Sequence, residues 1–464
     1  QDTHGIRQRH TWRSPHACTM TRDLRDLFIL LTFLLGSIVA LPAAEKDEDG
    51  GRKAPQILAI VDATVISVTG PVLNNATVLL RDGKIEDVGQ GVDVPKRARV
   101  VDGTGLYVMP GLVDTHSHLG IYALPEVAPH ADGDEWTDPI SPHVRAIDSV
   151  HGGDPAIARS LTGGVTTVQI LPGSANIIGG QSAVIKLRGG TAEDMLFEGA
   201  PPGMKMAFGE NPKRVYGSQQ KRRPASRMGN AAVLREALVE ARNYRRKWND
   251  YQEKQSAKDP GDGSDREVEK DEGPPERNLK LEALVDLLDG KFRVHVHVYR
   301  ADDILTVFRI ADEFGIKIAS LQHCLEGYKV ADEIARRGVG AAVFADLWGF
   351  KMEAWGSTPE NMALMSSSGV RVAVQTDHPV VEQRYLIHEA ARAVHYGLPE
   401  EEAYRAVTLN PAWILGLDDR IGSLEPGKDA DLAVFDGPPL SVRSHVVMTV
   451  IDGVVVYERQ EANL

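Results

Sequence analysis

The feature that most constrains this 464-residue chain is a rhythm of short Val- and Ile-rich runs separated by segments with helical spacing. The runs "GVTTVQIL", "GMKMAF", "FRVHVHV", "IKIASL", "GVGAAVF" and "GVRVAVQT" are short and rich in the β-branched residues that fit a pleated sheet. Between several of them lie "ADDILTVFRIADEFG", "YKVADEIARRG" and "EQRYLIHEAARAVHYG", whose apolar residues recur every three to four positions. Strand–helix repetition of this kind across residues 105–417 points to a parallel sheet. At that length a closed (β/α)8 barrel of the TIM type, an α/β fold, is the natural solution.

Two further β-rich stretches flank the repeat. Residues 56–104 contain "QILAIVDATVISVTG" and "ATVLLRDGKIEDVG", with Asp82-Gly83 as a hairpin signal, and residues 418–458 contain "LAVFDG" and "VVMTVIDGVVVYE", with Asp452-Gly453 as another. They predict a small β-sandwich domain built from N- and C-terminal segments. A charged insertion at 217–278 breaks the rhythm, with a helix expected near 231–248 and then "KDPGDGSDREVEKDEGPPE" as a solvated linker. Leu234, Leu238, Ala241 and Trp248 recur at helical spacing, which suits packing on the barrel exterior and, alternatively, a lid over a substrate.

Residues 20–44 carry a basic start, an apolar run at 27–41 and small residues at Ala43 and Ala44, the pattern of a secretory signal peptide, with a retained anchor as the alternative. Residues 1–19 precede the first methionine and read as an upstream or non-native segment. An exported protein, periplasmic or secreted, is expected, with no stable membrane span after cleavage. Of two cysteines, Cys18 and Cys324, the mature chain would keep only Cys324, so no disulfide framework is expected. With 65 acidic against 52 basic residues the formal charge is -13, which argues against nucleic acid as a partner. A small-molecule or short-peptide substrate fits better, and a homo-oligomer is compatible with the sequence.

Histidines and one acid mark the ends of the apolar runs. In "GLYVMPGLVDTHSHL" His116 and His118 stand two apart, so on a strand both rings face one side. His295 and His297 share a face in "FRVHVHVYR", His323 follows "IKIASLQ", and Asp377 follows "GVRVAVQT". In a barrel these are the strand ends where sites are built. Imidazoles with a carboxylate are a donor set for a divalent ion. Asp377 would also serve as a helix N-cap ahead of "HPVVEQRYL".

The combination of "VMPGLVDTHSHL", a later strand-borne histidine, a further histidine and "TDHP" resembles the amidohydrolase superfamily of metal-dependent hydrolases, across about residues 56–458. "GVTTVQILPGSANIIGGQSAVIKLR" and "GMKMAFGENPKRVYG" are similar to the branch that includes imidazolonepropionase and Xaa-Pro dipeptidase-like enzymes. The resemblance implies His116 and His118 as first-strand ligands, His297 as the fifth-strand ligand, His323 as the sixth and Asp377 as the eighth-strand carboxylate. "HVYRADDI" favours His297 over His295, which then becomes a hydrogen-bonded core residue. A bridging group from "GMKMAFGEN" is either Glu210, preferred because it ends the strand, or a carboxylated Lys205. One or two divalent ions, zinc by donor type, are implied. Such an ion lowers the pKa of bound water from 15.7 towards roughly 7. Asp377 would take a proton from that water and deliver it to the leaving nitrogen, a role that contributes about 100- to 10,000-fold.

Substrate signals are weaker. Deaminases of the superfamily place a glutamate three residues after the fifth-strand ligand, where this chain has Arg300, able to pair with a substrate carboxylate or with Asp302 or Asp303. The glycine-rich stretch 173–184 offers Asn176 and Gln181 as substrate contacts, or forms a simple turn at the barrel mouth. "ENPKRVYG" adds Lys213, Arg214 and Tyr216, which suggests an anionic substrate. The expected activity is hydrolysis of a C–N bond in an amide, small peptide or cyclic amide. An imidazolonepropionase-like cyclic amidohydrolase and a non-catalytic scaffold that kept the fold are the alternatives.

Overall fold

A computed structural model describes residues 56–256, 273–345 and 349–460. The leader at 20–44, the segment 1–19 and most of the "KDPGDGSDREVEKDEGPPE" linker lie outside the described residues. The chain begins with β1 (Ile57–Val65), β2 (Leu73–Arg81), β3 (Lys84–Gly89), β4 (Arg99–Asp102) and β5 (Tyr107–Pro110). It then enters the larger sheet with β6 (Leu112–Ser117), β7 (Val165–Ile170), β8 (Ile178–Lys186) and β9 (Gly203–Ala207). That sheet continues through β10 (Arg293–Val298), β11 (Ile318–His323), β12 (Gly340–Val343) and β13 (Val372–Val374). Three strands, β14 (Leu432–Phe435), β15 (Val446–Ile451) and β16 (Val454–Glu458), return to the first sheet.

In the terminal sheet the order is β16-β15-β14-β5-β1-β2-β3, with β4 alongside β1, so the two ends of the chain interleave. Both expected turns form two-residue hairpins. Asp82 and Gly83 have φ of 49° and 82°, and Asp452 and Gly453 have 50° and 76°. Two successive left-handed residues match the right-handed twist of the flanking strands, and an Asp-Gly pair takes that shape at least cost.

The second sheet keeps chain order from β6 to β13 and nearly closes on itself. Its seam is carried by the Asp377 N–H donating to the His116 carbonyl at 2.9 Å and the His118 N–H donating to the His378 carbonyl at 3.0 Å. Most neighbours are parallel and buried on both faces, which is why their sequences read as continuous apolar runs and not as alternation. One strand departs from the expected regularity: β8 runs antiparallel to both β7 and β9. No helix separates β7 from β8. A parallel return needs a long crossover, so this short connection reverses the chain. The stretch expected to be a glycine-rich loop over 173–184 is therefore strand from Ile178 onward.

Helices cover the outside of the barrel. The helix Ala301–Phe314 buries Ile304, Val307, Phe308 and Ile310 and ends at Gly315 in a left-handed cap (φ 74°). The insertion forms the helix Arg227–Ser256, which packs on Ala301–Phe314 and on the helix Leu279–Leu288. Leu234, Leu238 and Ala241 are buried there, and Arg242 lies 4.3 Å over the Phe314 ring. Its apolar stripe is thus used on the barrel exterior. No helix among the described residues is long and apolar enough to cross a membrane.

A buried ion cluster fastens the two sheets together. Lys186, at the end of β8 and only 2% exposed, lies 2.9 Å from Asp429, 3.1 Å from Asp431 and 2.5 Å from Asp452. Arg420 and Lys84 also reach Asp429, at 2.7 and 2.5 Å. Removing one partner from such a cluster strands desolvated charge, which typically costs about 3–5 kcal/mol. Lys186→Met is therefore expected to lower the denaturant midpoint strongly, whereas breaking the exposed Arg336–Glu333 pair should change stability by less than about 1 kcal/mol. Urea titrations of the two variants beside the unaltered protein check this contrast.

Candidate metal centre

The sequence-predicted histidines meet at the C-terminal mouth of the barrel. Nε2 of His118 is 3.0 Å and Nε2 of His116 is 3.3 Å from Oδ1 of Asp377, and Nδ1 of His323 is 3.9 Å from its Oδ2. Donor atoms of His116, His323 and Asp377 all lie within 4.8 Å of one another. The His297 and His323 ring centres are 4.4 Å apart. His323, Cys324 and Asp377 have φ of 68°, 42° and 51°, a left-handed backbone that costs side-chain-bearing residues energy. This bend at the strand ends turns two of the cluster's side chains into the mouth.

Two of the imidazoles are oriented by hydrogen bonds from Nδ1. Nδ1 of His118 meets the Leu171 carbonyl at 2.7 Å, and a carbonyl can only accept, so Nδ1 donates there and Nε2 is the nitrogen turned to Asp377. Nδ1 of His116 meets Oε1 of Gln322 at 3.1 Å and donates to it, which leaves Nε2 of that neutral ring with a lone pair. Burial first, then nearby positive groups including Lys205, pushes His116, His297 and His323 well below the usual imidazole range, so all three are neutral. Both ring nitrogens of His297 and Nε2 of His323 are buried without any hydrogen-bond partner. Lone pairs of neutral rings facing a carboxylate, with other nitrogens unpaired in a dry site, are a donor set that fits a divalent cation.

His295 sits one layer deeper than His297. Its Nδ1 bonds the Ser320 hydroxyl at 2.8 Å, and burial pushes it down to about 3. Lys205 is fully buried with Nζ 3.4 Å from Nε2 of His116 and donating to the Pro172 carbonyl at 2.9 Å. Burial lowers this amine to about 8. Glu210 is carried elsewhere: β9 ends at Ala207, Gly209 turns the chain at φ 97°, and Glu210 starts the short helix Glu210–Lys213 outside the cavity lining.

The predicted substrate contacts take a different role. Asn176 donates to the carbonyls of Glu135 and Asp138 at 2.6 and 2.7 Å, Tyr216 donates to that of Asp138 at 2.9 Å, and Gln181 donates to that of Pro142 at 3.2 Å. All three hold one segment of the long β6–β7 connection, the same connection that walls the cavity. Arg214 is exposed, and Arg300 forks onto Asp302 at 2.9 and 2.8 Å, a pairing that arises because the two flank one helix start. None of these five lines the cavity of about 440 Å³ above the histidines. Its walls include Tyr122, Glu126, Asp134, Asn211, Tyr299 and Val380, with His118, His297, His323 and Asp377 at its floor.

Sequence reading missed Asp114, Gln322 and Gln375. Asp114 is fully buried two residues before His116 and accepts from the His116 N–H (3.1 Å), from Thr376 and from Gln383 (3.0 Å). Burial raises it to about 6. It joins the first strand to the turn that carries Asp377. Gln322 links His116 to Ser320, and Gln375 contacts Nδ1 of His323 at 2.7 Å. The only sequence signal for Asp114 was an acid inside an otherwise apolar strand.

The profile of the amidohydrolase family matches residues 107–456. Amidohydrolase tasK of Hapsidospora irregularis is 35% identical over 392 residues, covering 81% of this chain and 39% of that protein, so the chain spans well under half of that relative. A 5-methylthioadenosine/S-adenosylhomocysteine deaminase of Symbiobacterium thermophilum is 25% identical over 458 residues, covering 86% of this chain and 93% of that one. The crystal structure of an amidohydrolase from Thermotoga maritima is 41% identical, with a TM-score of 0.78, and covers 87% of this chain and 100% of that chain.

Residues that orient metal ligands typically contribute about 10- to 100-fold in metal affinity. Asp114→Asn replaces one acceptor oxygen by a donor against Thr376 or Gln383. We expect it to fold while binding a divalent ion 10- to 100-fold more weakly, measured by competition with a chromophoric chelator.

Proposed function

Because this chain belongs to the amidohydrolase family, we propose that it hydrolyses a C–N bond of an amide or small peptide with the help of one or two divalent ions, zinc by donor type. His116, His118, His297, His323 and Asp377 would hold them. The observation that carries this reading is the cluster of buried imidazoles at the floor of a cavity, with Nε2 of His116 and His118 facing the Asp377 carboxylate and nitrogens of His297 and His323 left without a partner beside them. Bound there, a divalent ion supplies hydroxide at neutral pH and polarises a carbonyl.

The residues of the chain divide the remaining work. Asp377, partly exposed to the cavity, accepts the proton released on attack and returns it to the departing nitrogen. Tyr299 lines the same cavity, with its ring 4.7 Å from that of His297 and 5.1 Å from that of His323. Burial drives its phenol well above the ordinary range, so it stays protonated and able to donate to the carbonyl oxygen. Arg300, committed to Asp302, is left out of substrate binding.

Lys205, in place of Glu210, would supply the further group that holds the ions. Its Nζ lies within the histidine cluster, and burial makes the neutral amine accessible near neutral pH. That amine can add to carbon dioxide with loss of one proton, giving a carbamate with the two oxygens a bridge requires. Export rests on the leader at 20–44 alone, and a processed N-terminus near residue 45 in protein recovered outside the cytoplasm would support it.

Asp377→Asn is expected to retain the fold, by circular dichroism, and to lose turnover by about 100- to 10,000-fold. Unchanged turnover would remove Asp377 from the reaction. Lys205→Met should cost far more activity than Glu210→Gln. Chelator-stripped enzyme should recover fully only with a divalent ion and bicarbonate together, and recovery without bicarbonate in carbon-dioxide-free buffer would speak against the carbamate.

A further inference from the structure

The cavity differs from the expected one in charge. Among the described residues that line it there is no Lys or Arg, although Glu126, Asp134 and Asp377 are there. Nearby cations are already engaged. Nζ of Lys351 donates to Asn211 at 3.0 Å, lies 3.6 Å from Glu353 and sits 4.1 Å over the Tyr299 ring. Lys205 is buried among the histidines, and Arg300 is held by Asp302.

The acids differ from one another. Asp134 accepts from the Tyr122 hydroxyl at 2.7 Å and from the Ala175 N–H at 3.1 Å, and Asp377 faces the imidazoles. Glu126 is exposed at the cavity rim and makes neither a hydrogen bond nor an ion pair with any described residue. Its loop is nonetheless braced. Tyr122 and Ala131 bridge its ends, Nδ1 of His130 contacts the carbonyls of Ala123 and Pro125 at 3.1 and 3.0 Å, and the Leu124 N–H donates to Asp154 at 3.2 Å. Beside Glu126 the wall is apolar, from Val127, Ala131, Pro379 and Val380, with the Tyr122 ring below. The same cavity ends on His297, 1% exposed with both ring nitrogens unpartnered, so the braced acid and the reactive floor address one ligand.

We propose that the substrate carries a cationic group, an ammonium or guanidinium, joined through a short apolar segment to the scissile amide, and that Glu126 receives that cation. This deepens the hydrolase reading and rests on it. A carboxylate in the same position would meet Glu126 and Asp134 without a free cation to offset them. The arrangement therefore selects against the anionic substrate that Arg214 and Arg300 had suggested.

Three matched apolar amides ending in trimethylammonium, in its neutral tert-butyl isostere or in carboxylate would test this on the metal-loaded enzyme. The cationic amide should have a kcat/KM about fivefold above the neutral one, a ratio in line with a rim ion pair and one aromatic contact. The preference should shrink in high salt and fall towards unity in Glu126→Gln. Equal values for all three, a preference for the carboxylate, or an unchanged ratio in Glu126→Gln would overturn the proposal. Absence of turnover with any of them would count against the hydrolase reading instead. Calorimetric binding of the same three compounds then decides the charge preference by itself, because affinity needs no turnover.

Discussion

Everything at the barrel mouth depends on one unfavourable juxtaposition: the lone pair on Nε2 of the neutral His116 ring and the carboxylate of Asp377 stand 3.3 Å apart, and the ring's proton is committed to Gln322. Two acceptors at that separation repel unless a positive charge lies between them. Nε2 of His118 stands 3.0 Å from the same carboxylate, with its Nδ1 directed to the Leu171 carbonyl. Protonating the rings would relieve the contact, but burial and the nearby Lys205 amine oppose it for His116. The same low dielectric that penalises an imidazolium rewards a cation with several ligands, so the fold excludes one solution and prepares the other.

That preparation extends well beyond the ligands. Asp114 sits inside β6 and holds Thr376, the residue before Asp377, so the first strand and the eighth-strand turn are set by one carboxylate. The seam bonds between Asp377 and His116 and between His118 and His378 repeat the constraint through the backbone. Left-handed φ values at His323 and Asp377 are tolerated because hydrogen bonds on both sides determine them more strongly than the local backbone preference opposes them. Strain, orienting bonds and neutral rings therefore describe a single arrangement.

How much of this was legible in the sequence follows from what one-dimensional patterns carry. Apolar runs of strand length reveal that strands exist, and Asp-Gly pairs reveal tight turns, so the barrel and the composite terminal sheet were both readable. Direction is not in such a pattern. An apolar run reads the same either way, and so the reversal of β8 could only be seen in its short connection to β7. The histidines could be placed at strand ends, but the turn at Gly209, which leaves Lys205 on β9 beside His116 and carries Glu210 onto the next short helix, could not be read. Asn176, Gln181 and Tyr216 read as substrate contacts in the sequence, whereas their polar ends are spent on backbone carbonyls of residues 135–142, contacts between segments far apart in the chain.

Those spent side chains also explain how an acidic wall is built on a connection that has little regular structure. Polar contacts from outside and from within fasten the segment after β6: Asn176, Gln181 and Tyr216 reach residues 135–142 from later elements, while Asp154 and the Tyr122–Asp134 pair, inside the connection, hold another stretch. Satisfied carbonyls let this long connection stay ordered with only one short α-helix, Pro155–Leu161, of its own. These contacts do not involve the Glu126 carboxylate, which is left unpaired at the rim while the loop around it is held. A charge presented in that way needs little reorganisation on binding, and selectivity at this mouth then follows from its sign and not from its reach.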